Sequence, residues 1–594
     1  MTIRWTASLA LALPALAAAD EGPRQVFQPV MEYMVREPEA RPGKTVGALK
    51  INPFVAYTHL GTDFGFHGPG ERFITWQQHR VCLALENETD WAGMWHSLAG
   101  LANDPKDIFN FERSYPELIE NTYQPKVNAL LVRATGKGRL KFEIKSPEQS
   151  LLWSREVEVD DAEARPITVP LPLAQLQRAK FLNWTAEPGS DLCLTSLQFG
   201  LQLPKVEFDR YIVLASYAKM ARCYTPGYGL LRDRAHISAG SFDSVPATGL
   251  FALATAAVAM PETGFISHDR AVSILREIES TIAAIPKAKG LLPHFVKRVS
   301  GVPRIHPGTE FSTVDTALCY QSLLLAAEML NDVETKARVL ESIRRIDFDN
   351  LILDDGAISH GLKDDGTTLI PFAWRDWGGE TALVMLLKRL AGGSPNIDAI
   401  HSTGRPWQGT GFIAEIQSLF YPDFDSTTLD AVTRTNWREA RLSVLKSQKD
   451  YFPKTKPDSR ASTDGIYGLS AGEGAYGTSY EVGGTDLPQQ RLIHPHYILM
   501  AATLSPPSET YTLLNRMEHA GWFTPWGMVE NIAADGSSYL PMISALNAGF
   551  ETLGAYHLLA KSRQIDDAIY KASHDSEELR AAMKLFYPGA MARN

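Results

Sequence analysis

"GLFALATAAVAM", residues 249–260, is apolar or small almost all the way round a helical turn. A helix with one wet face carries a polar stripe. This stretch has none, so it reads as a helix with neighbours on every side. "VETKARVLESIRRI", residues 333–346, is its complement: apolar residues recur at three and four, and charges fill the remaining positions. The pair predicts an inner helix covered by an outer one. Working outward, the same helical period returns in about a dozen segments after Pro204, in alternating apolar and amphipathic pairs. The expected fold for residues 205–594 is therefore an (α/α)6 toroid, a circular stack of helical hairpins.

Before Pro204 the period changes to two. "RFITWQQHRVCLALE" (72–86), "RLKFEIKSP" (139–147) and "LCLTSLQFGLQL" (192–203) alternate apolar and polar residues between turn formers. These are antiparallel strand signals. Residues 45–204 are expected to form a β-sandwich of jelly-roll type, serving either as a sugar-binding module or as a brace, since fold alone does not decide between them. Residues 20–44 read as a linker.

The first 20 residues, "MTIRWTASLALALPALAAAD", place Arg4 before an apolar run and small residues Ala17 and Ala19 before Asp20. That is the pattern of a signal peptide over 1–19, cut after Ala19, and it predicts a periplasmic or secreted protein. Residues 20–594 contain no run long enough to suggest a membrane span. Export permits disulfides. Cys82 and Cys193 lie in the first and last strand-like segments, so a Cys82–Cys193 bond is expected, with two buried thiols as the alternative. Cys223 and Cys319 read as core.

The net charge of -10, with 44% hydrophobic and 21% charged residues, describes a globular protein that would not attract nucleic acid or an anionic membrane. A neutral oligo- or polysaccharide suits it better. No P-loop lysine, HExxH or cysteine cluster appears, so no cofactor or metal is expected, and His494 and His496 of "HPHY" read as structural.

Three stretches carry acids among aromatics and glycines. "PGTEFSTVDTAL" (307–318) offers Glu310 and Asp315 at a helix mouth, although Ser312 and Asp315 also have capping-box spacing. "PFAWRDWGGETALVMLLKRLAGGSP" (371–395) sets Trp374, Arg375 and Trp377 before Gly378, Gly379 and Glu380. The tryptophans offer flat faces for sugar rings, and the glycines read as room for a ligand to approach the backbone. "YGLSAGEGAYG" (467–477) surrounds Glu473 with Tyr467 and Tyr476. It also spells G-x-S-x-G around Ser470, but a nucleophile elbow needs a strand before it and a helix after it in a βα alternation, which this region lacks. Trp407 in "GRPWQGTG" and Trp526 in "GWFTPWGMVEN" continue the aromatic theme. Carboxylates among aromatic platforms suggest glycoside hydrolysis.

Residues 210–565 resemble the glucoamylase-like (α/α)6 proteins that include endo-β-1,2-glucanases. The resemblance rests on "EFSTVDTALCYQSLLLAAEML", "WGGETALVMLLKRLAGGSP", "YGLSAGEGAYG" and "GWFTPWGMVENI". It implies an inverting β-glucan hydrolase with Glu380 as the acid. The family's base is an aspartate before a glycine on a late helix; here "ISALNAGFETL" has Asn547 instead. Glu473, Asp315 and Glu551 are the substitutes, in that order. Glu310, Trp374, Arg375, Trp377, Trp407, Tyr467, Tyr476 and Trp526 are expected to bind substrate. Two other readings stand: a polysaccharide lyase, which would need a cationic cleft, and a glycan-binding or exopolysaccharide assembly protein without activity, which the asparagine motivates.

Overall fold

The computed structural model describes the backbone of residues 25–31 and most of residues 64–588. Outside it lie 1–24, 32–63, 98–117, 172–178, 236–241, 401–406, 476–479, 589–594 and scattered shorter gaps that include Trp377 and Trp526. The expected signal peptide therefore falls outside the described residues.

Ten strands form one antiparallel sheet: β1 (Gln25–Met31), β2 (Phe64–His67), β3 (Ile74–Gln77), β4 (Arg80–Ala84), β5 (Ala92–Ser97), β6 (Lys126–Lys145), β7 (Leu151–Asp161), β8 (Pro166–Pro170), β9 (Phe181–Ala186) and β10 (Asp191–Gln202). The hinge of the arrangement is β6. Its first half lies between β8 and β10, and its second half between β7 and β9. Hydrogen bonding thus runs unbroken through β6, and the sheet curls around a core. Leu140, Phe142 and Ile144 of β6 point into that core with Trp184, Leu192 and Leu194, while Lys141 and Glu143 pair on the other side. This is the period-two alternation expressed as burial. Cys82 and Cys193 are directly opposed on β4 and β10, and their sulfurs are bonded. Within the expected linker 20–44, Gln25–Met31 is a strand paired with β10.

The helices build a second core. The longer ones are α1 (Phe208–Ala221), α2 (Val245–Val258), α3 (His268–Ala284), α4 (Thr313–Met329), α5 (Val333–Arg344), α6 (Gly379–Leu390), α7 (Trp437–Thr455), α8 (Pro507–His519) and α9 (Ala545–Arg563). All fourteen residues of α2 are buried, as the missing polar stripe requires, whereas α5 buries only Thr335, Val339, Leu340 and Ile343. α2 packs on α4, α4 on α6, and α6 on the short helices spanning 411–419; these meet His496–Met500, which packs on α9, and α9 returns to α1 and α2. The approach of α2 to α4 is so close that a Cβ on Gly249 would lie 2.5 Å from the Cα of Cys319, which is why glycine sits there. Cys319 and Cys223 are both buried in this core. So are Leu118 and Ile119, which belong to the chain segment between β5 and β6. The Glu120 amide bonds to the Phe265 carbonyl at 2.9 Å, so this segment docks the sheet region onto the helices. No helix among the described residues is long and apolar enough to cross a membrane.

Candidate active site

Short strands at the helix starts hold the polar groups. Phe311–Ser312 leads into α4; there Ser312 caps the helix by accepting from the Asp315 amide at 3.2 Å. The capping half of the expectation is thus met. The Asp315 carboxylate nevertheless turns toward His294, 3.5 Å away. Glu310 reaches the same imidazole Nδ1 at 2.9 Å. Burial pulls the His294 pKa down, but Asp315, Glu310 and Asp233 outweigh it and lift it to about 9. The imidazolium in turn holds Glu310 below the usual carboxylate range, while burial pushes Asp315 up. The donor atoms of His294, Glu310 and Asp315 lie within 4.8 Å of one another, close enough to share a cation. The imidazolium already supplies a positive charge there.

A second cluster forms around Glu473. The strand Ala471–Glu473 pairs with Tyr480–Val482, placing Glu473 opposite Tyr480. The glycine-rich stretch is therefore a hairpin strand rather than an open loop. Glu473 is only 3% exposed. Its carboxylate meets Arg234 at 2.8 Å, and its carbonyl accepts from Asn531 at 2.7 Å and contacts His494 at 3.1 Å. Burial raises its pKa to about 8 against the pull of Arg234, with Glu530 and Asp233 adding to the rise. Beneath it, Glu530 accepts from the Glu473 amide at 3.2 Å and from the Asn547 side chain at 2.7 Å. Glu530, Arg234, Asp233 and His294 were missed by sequence reasoning, because nothing local in "GMVEN" or "LLRDRAH" distinguishes a cleft acid or base from a surface one.

Tyr480, opposite Glu473 on the paired strand, is 58% exposed; burial and then the charges of Glu380, Glu530, Glu473 and Asp315 raise its pKa. Glu380 itself is half-buried in the first turn of α6.

Several expected residues do something else. Trp374 is buried, stacks on His360 and donates its indole N–H to Thr313 at 2.8 Å, so it braces the start of α4 instead of offering a face to sugar. Tyr467 is buried edge-on to Tyr497. Arg375 pairs with Asp355. A Cβ on Gly379 would lie 2.2 Å from both Ile416 and Gln417, so that glycine serves helix packing and not ligand approach. Glu551 is consumed by Lys219 at 2.9 Å, Ser216 at 2.9 Å and the Met528 amide at 2.9 Å, all buried, and is withdrawn as a base. Ser470 is fully buried, 3.2 Å from an equally buried His496, with a strand following it; no elbow exists. Trp377, Tyr476 and Trp526, and the side chain of Trp407, lie outside the described residues. Among the described residues of the 371–380 stretch, Phe372 is an exposed aromatic, 67% exposed. Its carbonyl accepts from the His360 amide, and the His360 carbonyl accepts from the Thr313 amide at the first residue of α4.

No family model and no curated sequence matches the chain. Solved structures do. A beta-1,2-glucanase from Parabacteroides distasonis superposes with a TM-score of 0.54 at 11% identity, over 88% of this chain and 97% of that one. An endo-beta-1,2-glucanase from Chitinophaga pinensis superposes with a TM-score of 0.51 at 13% identity, over 64% of this chain and 98% of that one. The chain shares the fold of these glucanases. Residues 205–594 are less than two thirds of the sequence, so the match over 88% takes in part of the sheet region as well. The expected likeness spanned residues 210–565; in three dimensions it reaches into the region before residue 205.

Proposed function

We propose that this protein is an exported glycoside hydrolase that cleaves a β-glucan, with β-1,2-glucan as the preferred polymer, by inversion. In this reading the circuit of helices over 205–594 is an (α/α)6 toroid and the curled sheet before it a jelly-roll sandwich, forming two domains behind a leader that ends at Ala19. The observation that carries the reading is the gathering of acids in two clusters, Glu310 and Asp315 on His294 and Glu473 with Glu530 beside Arg234, in a chain that shares its fold with glucanases.

Glu380, half-buried in the first turn of α6, is the acid that protonates the leaving glycosidic oxygen. The base must be ionised and must take a proton from water. Glu473 does not suit that role: raised to about 8, it keeps its proton at neutral pH. Asp315 suits it better. Burial raises its pKa, but the His294 imidazolium opposes that rise and stabilises the ionised carboxylate it faces. Inversion would place the Glu380 and Asp315 carboxyls roughly 6.5–9.5 Å apart across the substrate. Glu310, Phe372 and Tyr480 line the approach, and no metal or cofactor takes part.

The test is digestion of β-1,2-, β-1,3- and β-1,4-glucans by the purified protein, with the anomeric configuration of the first product read by NMR. Cleavage of β-1,2-glucan with inverted product is the expected result. Unsaturated, ultraviolet-absorbing products would establish a lyase. Tight oligosaccharide binding without cleavage would establish the assembly role.

A further inference from the structure

Glu530 is one of the most thoroughly enclosed acids in the molecule, at 1% exposure, and no step above uses it. One of its oxygens, Oε1, receives both the Glu473 amide and the Asn547 side chain. The other, Oε2, is buried without a hydrogen-bond partner. Glu473 has the same asymmetry: Oε1 meets Arg234, and Oε2 is buried and unpartnered. Two adjacent carboxyls each thus carry one bare oxygen out of water. A bare carboxylate oxygen in such a place is costly, whereas a carboxylic acid O–H there is much less so.

The surrounding charges agree. The charged and titratable groups around the pair are Arg234 and Asp233, with His294 beyond Asp233, Lys219 of α1, Glu551 of α9, His494, His496 and Tyr480, and Asn547 of α9 donates to Glu530. Burial keeps both histidines neutral, His494 falling to about 4. Tyr480 is neutral as well. That leaves four acids, Asp233, Glu473, Glu530 and Glu551, facing Lys219 and Arg234, with the His294 imidazolium acting on Asp233. Lys219 is held by Glu551, and Arg234 is divided between Asp233 and Glu473. Among the described residues, no cation is in contact with Glu530.

We infer that Glu530 is a positioning residue that keeps a proton on the buried Glu473–Glu530 pair at neutral pH, so that Glu473 presents an O–H rather than a second negative charge at the floor of the cleft. Asn547 acts on the same pair from the other side. Where the family resemblance expects an aspartate, an amide N–H donates to Glu530 at 2.7 Å and favours its ionised form, which directs the retained proton to Glu473. The directions of the titrations support the geometry. Burial raises Glu530 to about 7 against Lys219, the Glu473 amide and Asn547, and Glu530 is itself among the charges that raise Glu473. In the hydrolase reading, on which this inference rests for its role, the retained proton leaves Glu380 and Asp315 to work as acid and base without a further anion beside them.

The test titrates the full-length protein between pH 4 and 9 with 13C-labelled glutamate, following side-chain carboxyl shifts in wild type, Glu530→Gln and Asn547→Ala. In wild type, the transition lost in Glu473→Gln identifies Glu473. Glu530→Gln removes a neighbouring negative charge, so the Glu473 transition should move to lower pH by roughly one unit, a tenfold loss of proton affinity. Asn547→Ala removes a donor to the ionised form of Glu530, so the Glu530 transition should move to higher pH. A purely structural Glu530 would lower the melting temperature equally at all pH values and leave the Glu473 titration in place. An unmoved Glu473 in Glu530→Gln, or buried glutamates fully ionised at pH 6 in wild type, overturns the inference. If no glucan is cleaved, the functional reading falls, but the carboxyl titration still decides this point. If glucan is cleaved, the alkaline limb of kcat/KM should shift with the Glu473 transition.

Discussion

The two acid clusters at the helix starts are built from the same residue types and have opposite characters. Around His294, two carboxylates flank one imidazolium, and Glu310 remains open to solvent over 39% of its side chain. Around Arg234, Glu473 and Asp233 share one guanidinium, Glu530 bonds to the Glu473 amide without a cation of its own, and the glutamates are sealed from water. The first arrangement pairs its charges; the second pairs only some and holds a proton for the remainder. What an acid can do in this protein is set by how many cations face it and how much water reaches it, and the sequence around it carries neither number.

The largest expected effect belongs to the acid that sits in neither cluster. Glu380→Gln should lower kcat on β-1,2-glucan by roughly 10²–10⁴-fold, the range for loss of a general acid, with binding of oligosaccharide preserved. Wild-type turnover in that variant would remove Glu380 from the chemistry and leave the clusters to divide the work between them.

Next comes the direct contrast. Asp315→Asn should cost a comparable factor, about 10²-fold or more, and activity should return partly with azide, which can replace a base that activates water. Glu473→Gln replaces a protonated carboxyl with an isosteric donor, so it should cost about tenfold or less and respond to no added anion. A reversal, with Glu473→Gln dead and rescued while Asp315→Asn is mild, would exchange the roles of the two clusters.

How far these contrasts were legible in the sequence differs by level. The missing polar stripe over 249–260 and the alternation over 139–147 report burial through their period, and both appear in the structure as a fully buried α2 and as the inward-facing Leu140, Phe142 and Ile144. Glu310 and Asp315 were legible as a pair because one helix start brings them together. Arg234 and Glu530 were not: they reach Glu473 from 239 and 57 positions away along the chain, through strand pairings that join 234–235 to 543–544 and 492–493 to 531–533. Trp374 shows the converse error. Its type suits a sugar platform, but Thr313 and His360 had already claimed its N–H and its face.

The clusters should also separate in the pH dependence of stability. His294 is raised from 6.5 to about 9, so its contribution is complete below 6.5 and is lost as pH rises through 9. Glu473 is raised from 4.5 to about 8, so stability tied to its protonated form is complete below 4.5 and is lost as pH rises through 8. Both clusters therefore favour the acid side, in offset windows. Melting curves of His294→Asn should flatten relative to wild type between pH 8 and 9, and those of Glu473→Gln between pH 4.5 and 6.5. Identical profiles for the two variants would mean that the clusters titrate as one unit.

The smallest effect concerns the rim. Phe372 is exposed, and its backbone is tied through His360 to the first residue of α4, the helix that carries Asp315. An aromatic face there can stack on a sugar ring without touching the reacting bond. Phe372→Ala should therefore raise KM by several-fold, consistent with about 1 kcal/mol for one aromatic contact, and leave kcat, its pH profile and the melting temperature where they are. The substitution removes surface that the fold does not bury, so an unfolded variant would itself contradict the placement. A change in kcat with KM constant would move Phe372 from the rim to the reacting sugar, and would extend the His294 side of the cleft into the chemistry that the comparison assigns to Asp315 and Glu380.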